Sequence, residues 1–237
     1  EQEEWNRVDA RLHTIAEAAL AQDTPIFIDA EETWIQSPID RLAEDLMEKY
    51  NQEKPIIWQT VQLYRWEGID SLRRLIQDSK EKGYILAVKL VRGAYLEKES
   101  QRAKDMGYKD PMQPSKEATD RDYNRALELC IENIDHVTVC AGTHNDYSSL
   151  YLTQLMEQKG LMPHDPRVWF AQLLGMSDHI SFNLAHAGFN VAKYLPYGPV
   201  QAVMPYLMRR AEENTSIAGQ SSREVRLLSE EVKRRKI

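Results

Sequence analysis

Cysteine is nearly absent from this chain of 237 residues: only Cys130 and Cys140 occur. Two thiols without C-x-x-C spacing supply neither a disulfide framework nor a zinc site, and are expected to be buried thiols of a reducing compartment. Long apolar runs are also missing, and the acidic start Glu1-Gln2-Glu3-Glu4 is opposite in charge to a signal peptide's basic leader. Neither membrane spanning nor secretion is therefore expected. Basic charge is in the minority, 30 Lys and Arg against 37 Asp and Glu for a formal charge of -7. That balance offers no broad positive face, so no nucleic-acid partner is expected. The six histidines are scattered, with no H-x-H or H-E-x-x-H pair, and no metal site is expected. No G-x-G-x-x-G or G-K-[ST] loop follows the first apolar run, so the phosphate cradle of the open nucleotide folds is missing.

What the chain does contain is an ordinary globular mixture, 42% hydrophobic and 28% charged, enough for one large core. Short runs rich in branched residues recur, each followed by polar groups, and they predict strands starting near Ile26, Ile56, Ile85, Val137, Val168 and Asn190. The steps between these starts are 30, 29, 52, 31 and 22 residues, close to a strand-helix repeat with one extra loop. Between them the period turns helical. Trp5, Val8, Leu12, Ile15, Ala16 and Ala19 share one face, as do Ile39, Leu42, Leu46 and Tyr50. Ser37-Pro38 and Thr119-Asp120 are expected helix starts, and Gly83 and Gly160 are expected stops. Repeated strand-helix units imply parallel strands in a doubly wound sheet or a barrel. Polar strand ends without a nucleotide loop favour a (β/α)8 barrel with two strands unaccounted for.

Several residues could carry chemistry. Lys89-Leu90-Val91-Arg92-Gly93-Ala94-Tyr95 sets two cations on an apolar strand, which suits an anion or a cofactor, although a charged strand end in water has the same pattern. Thr143-His144-Asn145 could donate hydrogen bonds to a pyrophosphate or simply form an Asx-type turn. Tyr206, Arg209, Arg210 and Glu213 share one helical face, where the arginines could grip a carboxylate or form a solvated stripe. Asp29 and Glu31 project to one side as paired acids would, and Gln62, alone in an apolar run, could bond a flavin or be satisfied by backbone.

Together with Gln172-Leu173-Leu174-Gly175-Met176 and Tyr194-Leu195-Pro196-Tyr197-Gly198, these motifs resemble the FAD-dependent proline dehydrogenases, in the family's order over nearly the whole chain. K-L-V-R-G-A-Y with Y-L-x-R-R-x-x-E-N is the specific pair. The resemblance implies a distorted (β/α)8 barrel with FAD across the strand carboxyl ends and a final helix closing over the flavin. It implies catalytic roles for Lys89, Asp29 and Tyr194, with the Lys89 cation facing flavin N5 and the Tyr194 hydroxyl bonded to Asp29. Tyr194, Tyr206, Arg209 and Arg210 would hold proline. Gln62, Lys89, Arg92, Gly93, Ala94, Tyr95, Thr143, His144, Asn145, Gln172 and Glu213 would hold FAD. The implied reaction is oxidation of L-proline to 1-pyrroline-5-carboxylate, with electrons passed to a membrane quinone and the product to a pyrroline-5-carboxylate dehydrogenase. A peripheral membrane contact, to which Lys233-Arg234-Arg235-Lys236 could contribute, is implied as well. The expected location is cytoplasmic at the inner membrane in bacteria, or the mitochondrial inner membrane or matrix in eukaryotes. Since the family has eight strands, residues 1–237 would be the C-terminal three quarters of the barrel domain. The alternatives are a hydroxyproline-selective relative and a flavin-binding fragment inactive without the first two strands.

Overall fold

The computed structural model describes residues 2–216, 226 and 229–235, with side chains described up to residue 208 in the helix ending at Ser216. Six strands alternate with helices: α1 (Gln2–Ala21), β1 (Ile26–Ile28), α2 (Thr33–Tyr50), β2 (Ile57–Gln62), α3 (Gly68–Lys82) and β3 (Leu86–Val91). Then come α4 (Leu96–Met106), α5 (Lys116–Glu132), β4 (Val137–Gly142), α6 (Asp146–Gln158), β5 (Val168–Leu173), α7 (Asp178–His186), β6 (Val191–Tyr194) and α8 (Val200–Ser216). All six expected strands are present, each starting within one residue of its expected place.

The strands pair in chain order, every pair parallel, into a single sheet β1-β2-β3-β4-β5-β6. The two-residue period sorts their side chains. Leu86, Val88 and Leu90 of β3, with Val137 and Val139 of β4 and Val168 and Phe170 of β5, enter the core shared with the helices. The opposite face carries Trp58, Ala87 and Cys140, packed with Trp169 and Ala171. This is the apolar floor of a curled half-barrel. Among the described residues β1 and β6 each pair on one side only, which fits a barrel interrupted between them.

One polar side chain staples the amino end of the sheet. Asn51, fully buried where α2 ends, donates Nδ2 to the carbonyls of Ile57 (2.7 Å) and Ile85 (3.1 Å). Its Oδ1 accepts from the amides of Ile56 (3.0 Å) and Ile57 (2.8 Å). Asn51→Ala strands these backbone groups and should cost about 3 kcal/mol in denaturant unfolding, several times a typical hydrogen bond. A loss below about 1 kcal/mol would show that the staple is dispensable.

Three local expectations are corrected. Helix α2 starts at Thr33, not at Ser37-Pro38, because the Thr33 amide finds an acceptor in the distant Glu99 carboxylate (2.6 Å). Pro38 lies inside the helix, where the bond it forgoes is to the carbonyl of exposed Trp34. Helix α5 starts at Lys116, not at Thr119-Asp120, because the Ser115 hydroxyl accepts from the Ala118 amide. Ile15 is exposed, while Ala16 and Ala19 are buried against the core. Gly83 does terminate α3 in a left-handed conformation.

Candidate active site at the strand carboxyl ends

Parallel strands bring their exits to one end, and there the concave face turns from apolar to polar. Lys89 shares the inward parity of Ala87, and register places it beside Thr60 of β2 and Cys140 of β4. Its ammonium ion-pairs with Asp29, just past β1, and lies 5.2 Å from the Phe27 ring centroid. Thr60 Oγ1 also approaches Asp29, at 3.4 Å. Asp29 is 58% exposed, so the pair is wet on one side and its strength is limited by solvent. Burial pushes the Cys140 thiol up to about 12, with Lys89 opposing. Cys130 and Cys140 are both free, buried thiols.

Gln62, at the end of β2, donates Nε2 to the Glu31 carbonyl at 3.2 Å, while its buried Oε1 has no hydrogen-bond partner among the described residues. A buried acceptor of this kind calls for a donor, and a flavin ring N–H is one. The Lys89 cation and the Gln62 acceptor on adjacent strands therefore fit the polar edge of a flavin.

Asp29 and Glu31 do not form an acid pair. Strand β1 stops at Ile28, so the two carboxylates leave its alternation, and Glu31 instead accepts from the Tyr95 hydroxyl at 2.6 Å. Nor is Asp29 bonded to Tyr194: it is taken by Lys89 and Thr60. Tyr194 packs on Tyr206 of α8, with ring centroids 5.4 Å apart and planes tilted by 53°, so the two tyrosines expected at the substrate do meet. Arg209, Arg210 and Glu213 lie on the helical backbone of α8, but their side chains, like Lys236 of the basic end, lie outside the described residues.

The Arg92 guanidinium faces protein. It donates Nε to Asp120 (2.7 Å), Nη1 to Thr143 (2.8 Å) and Nη2 to Ser148 (2.9 Å), and lies 4.2 Å from the Tyr123 ring centroid. Burial alone would raise the Asp120 pKa, but hydrogen bonds from Lys116 and Arg92 overcome it and hold the carboxyl below its usual range. Thr143 Oγ1 also accepts from the Asn145 amide (3.1 Å), Asn145 caps α6 through the Ser148 amide (3.0 Å), and His144 Nδ1 meets Ser177 Oγ at 3.0 Å. The turn alternative accounts for these side chains.

Gln172 turns its side chain away from the concave face. It has the parity of Val168 and Phe170, which places it among the helices, where Nε2 donates to the Thr143 carbonyl (3.2 Å) and Oε1 accepts from Ser181 (2.9 Å). Gly93 also has a second reason to be glycine. Its φ is +135°, and a Cβ there would lie 2.4 Å from the Tyr64 ring. Ser148, Tyr123 and Glu99 went unread in the sequence, and Asp120 was read only as a helix start, because each is a single polar or aromatic residue in a helix with a partner on another element.

A parallel strand-helix array with a cation, a carboxylate, an amide oxygen and two tilted tyrosine rings at its carboxyl end has the architecture of the β/α-barrel class. The family model described as proline dehydrogenase matches residues 2–223, and the chain belongs to that family. It is 41% identical over 238 residues to the human protein named proline dehydrogenase 1, mitochondrial, covering 99% of this chain and 40% of that one. The Drosophila melanogaster protein of the same name is 39% identical over 245 residues, covering 99% of this chain and 36% of its own length. The rat protein named hydroxyproline dehydrogenase is 41% identical over 233 residues, covering 95% of this chain and 51% of that one. Among solved structures, proline utilization A from Bdellovibrio bacteriovorus superposes with a TM-score of 0.84 at 22% identity, covering 92% of this chain and 22% of that chain. That likeness supports the barrel. The chain thus spans about two fifths of the length of these proline dehydrogenase relatives. Among the described residues no helix is long and apolar enough to cross a membrane.

Proposed function

We propose that this segment is the larger part of the barrel of a flavoenzyme that oxidises L-proline to 1-pyrroline-5-carboxylate, residues 1–237 contributing six of eight strands. The observation that carries the reading is the Lys89 ammonium emerging from an apolar floor, one strand from the orphan Gln62 oxygen.

When bound, FAD supplies the redox chemistry by accepting a hydride from the substrate carbon next to nitrogen. Lys89 holds positive charge where a reduced ring would be negative, and Asp29 fixes the direction of that ammonium. Gln62 Oε1 would accept from the ring edge. Of the remaining assignments, Arg92, Gly93, Ala94 and Tyr95, with Thr143, His144 and Asn145, would offer mainly backbone and loop shape, since several of their side chains serve the protein itself. Glu213 would meet the flavin chain. Tyr194 and Tyr206 form the ring wall against which proline sits, and Arg209 and Arg210 would bind its carboxylate, as guanidinium forks do. A membrane quinone would be the electron acceptor, and a pyrroline-5-carboxylate dehydrogenase would take the product.

The bulk of Tyr194 sets the choice between proline and its hydroxylated analogue. In FAD-loaded full-length protein, turnover of proline with a soluble quinone should exceed that of trans-4-hydroxyproline by at least about tenfold, the range a single steric misfit in a pocket supplies. Equal rates would replace the reading with a hydroxyproline-oxidising one.

A further inference from the structure

We infer that Glu99 is a positioning residue for the site, acting through a clasp between α4 and the loop joining β1 to α2; the inference rests on the function proposed above. Glu99 is 0% exposed, and both carboxylate oxygens are used: Oε1 accepts from the Thr33 amide at 2.6 Å and Oε2 from the Thr33 hydroxyl at 2.7 Å. Among the described residues no cation forms a salt bridge with it. A buried carboxylate held by neutral donors is costly to desolvate, whereas a glutamine could accept from one Thr33 donor without burying a charge. Fold stability alone gives little reason for a full charge here.

The geometry supplies another reason. Two loop residues and the first residue of α2 meet the start of α4 in succession: Glu31 accepts from the Tyr95 hydroxyl, Glu32 pairs with Lys98, and Thr33 donates to Glu99. The same loop begins with Asp29 and presents the Glu31 carbonyl to Gln62. Helix α4 follows β3, which carries Lys89. Strands β1 and β3 are not neighbours, since β2 lies between them, and β1 has only three residues with which to hold its own exit. The clasp therefore bypasses β2 and sets the loop bearing Asp29 against the helix continuing from Lys89. The Asp29–Lys89 contact and the Gln62 amide both depend on where that loop lies. Glu99 also acts on Tyr64, beneath Gly93, whose phenol is pushed up first by burial and next by the Glu99 charge.

The test uses FAD-loaded full-length protein containing this segment, with the variants Thr33→Val, Thr33→Ser and Glu99→Gln. Thr33→Val and Glu99→Gln should slow the limiting rate of flavin reduction by proline at least about tenfold, as small misplacements of reacting groups do, with the proline dissociation constant within about twofold. Thr33→Ser, which keeps both donors, should match the parent. Independently of turnover, amide hydrogen exchange in residues 29–33 should accelerate about tenfold in Glu99→Gln while β4 stays protected. If Glu99→Gln does not fold, Thr33→Val against Thr33→Ser carries the test alone. Unchanged flavin reduction in Thr33→Val, or an equal loss in Thr33→Ser, overturns the clasp. A parent protein whose flavin proline does not reduce would instead overturn the proposed function, and exchange at 29–33 would still decide whether the clasp exists.

Discussion

Lys89→Met should lower the limiting rate of flavin reduction about a thousandfold while leaving the melting temperature within a few degrees. The rate effect follows from removing an ammonium that faces the concave side on the strand next to Gln62's, where a preorganised charge is worth several kcal/mol to developing negative charge. The small stability effect follows from the same geometry. Methionine keeps most of the apolar stem against Phe27, and Asp29, 58% exposed, turns to water once its partner is gone. Stopped-flow reduction by proline, with thermal unfolding run in parallel, separates the two effects. A rate within about tenfold of the parent would remove Lys89 from the chemistry.

Gly93→Ala is the second large effect, and it acts on the fold first. The backbone at this glycine has φ +135°, and an added Cβ meets the Tyr64 ring at 2.4 Å. Tyr64 is buried beneath it and has little room to move. Conformational strain and overpacking together should cost about 3 kcal/mol, lowering the melting temperature by roughly 10 °C for a chain of this size. Gly83→Ala is the control, because φ there is +77° and nothing lies within 4 Å of the added carbon; it should cost only about 1 kcal/mol. Equal losses in the two variants would show that backbone conformation, and not the Tyr64 contact, governs the Gly93 loop.

The strands were legible because each is a run of branched apolar residues, a signal that needs no partner to be read. The inward placement of Lys89 needed the strand register, which pairs it with Thr60 and Cys140. Parity could equally have placed the Gln172 side chain, since it keeps step with Val168 and Phe170 on the helix side. The helix start at Thr33 was hidden because its acceptor, Glu99, lies 66 residues further on. Asn51 was hidden for a similar reason, since nothing in a lone asparagine after a helix announces four bonds to two strands. The Arg92 network shows the limit most clearly. A guanidinium on a strand exit looks the same in sequence whether it faces an anionic ligand or, as here, Asp120, Thr143 and Ser148.

The central claim is that Lys89, Gln62 and the paired tyrosines form the proline-oxidising site of a flavoenzyme barrel. It is tested most directly by the visible spectrum of full-length, FAD-loaded protein before and after anaerobic proline. A flavin band that bleaches with proline in the parent, and bleaches far more slowly in Lys89→Met, is the predicted result. A flavin band that proline leaves unchanged would contradict it.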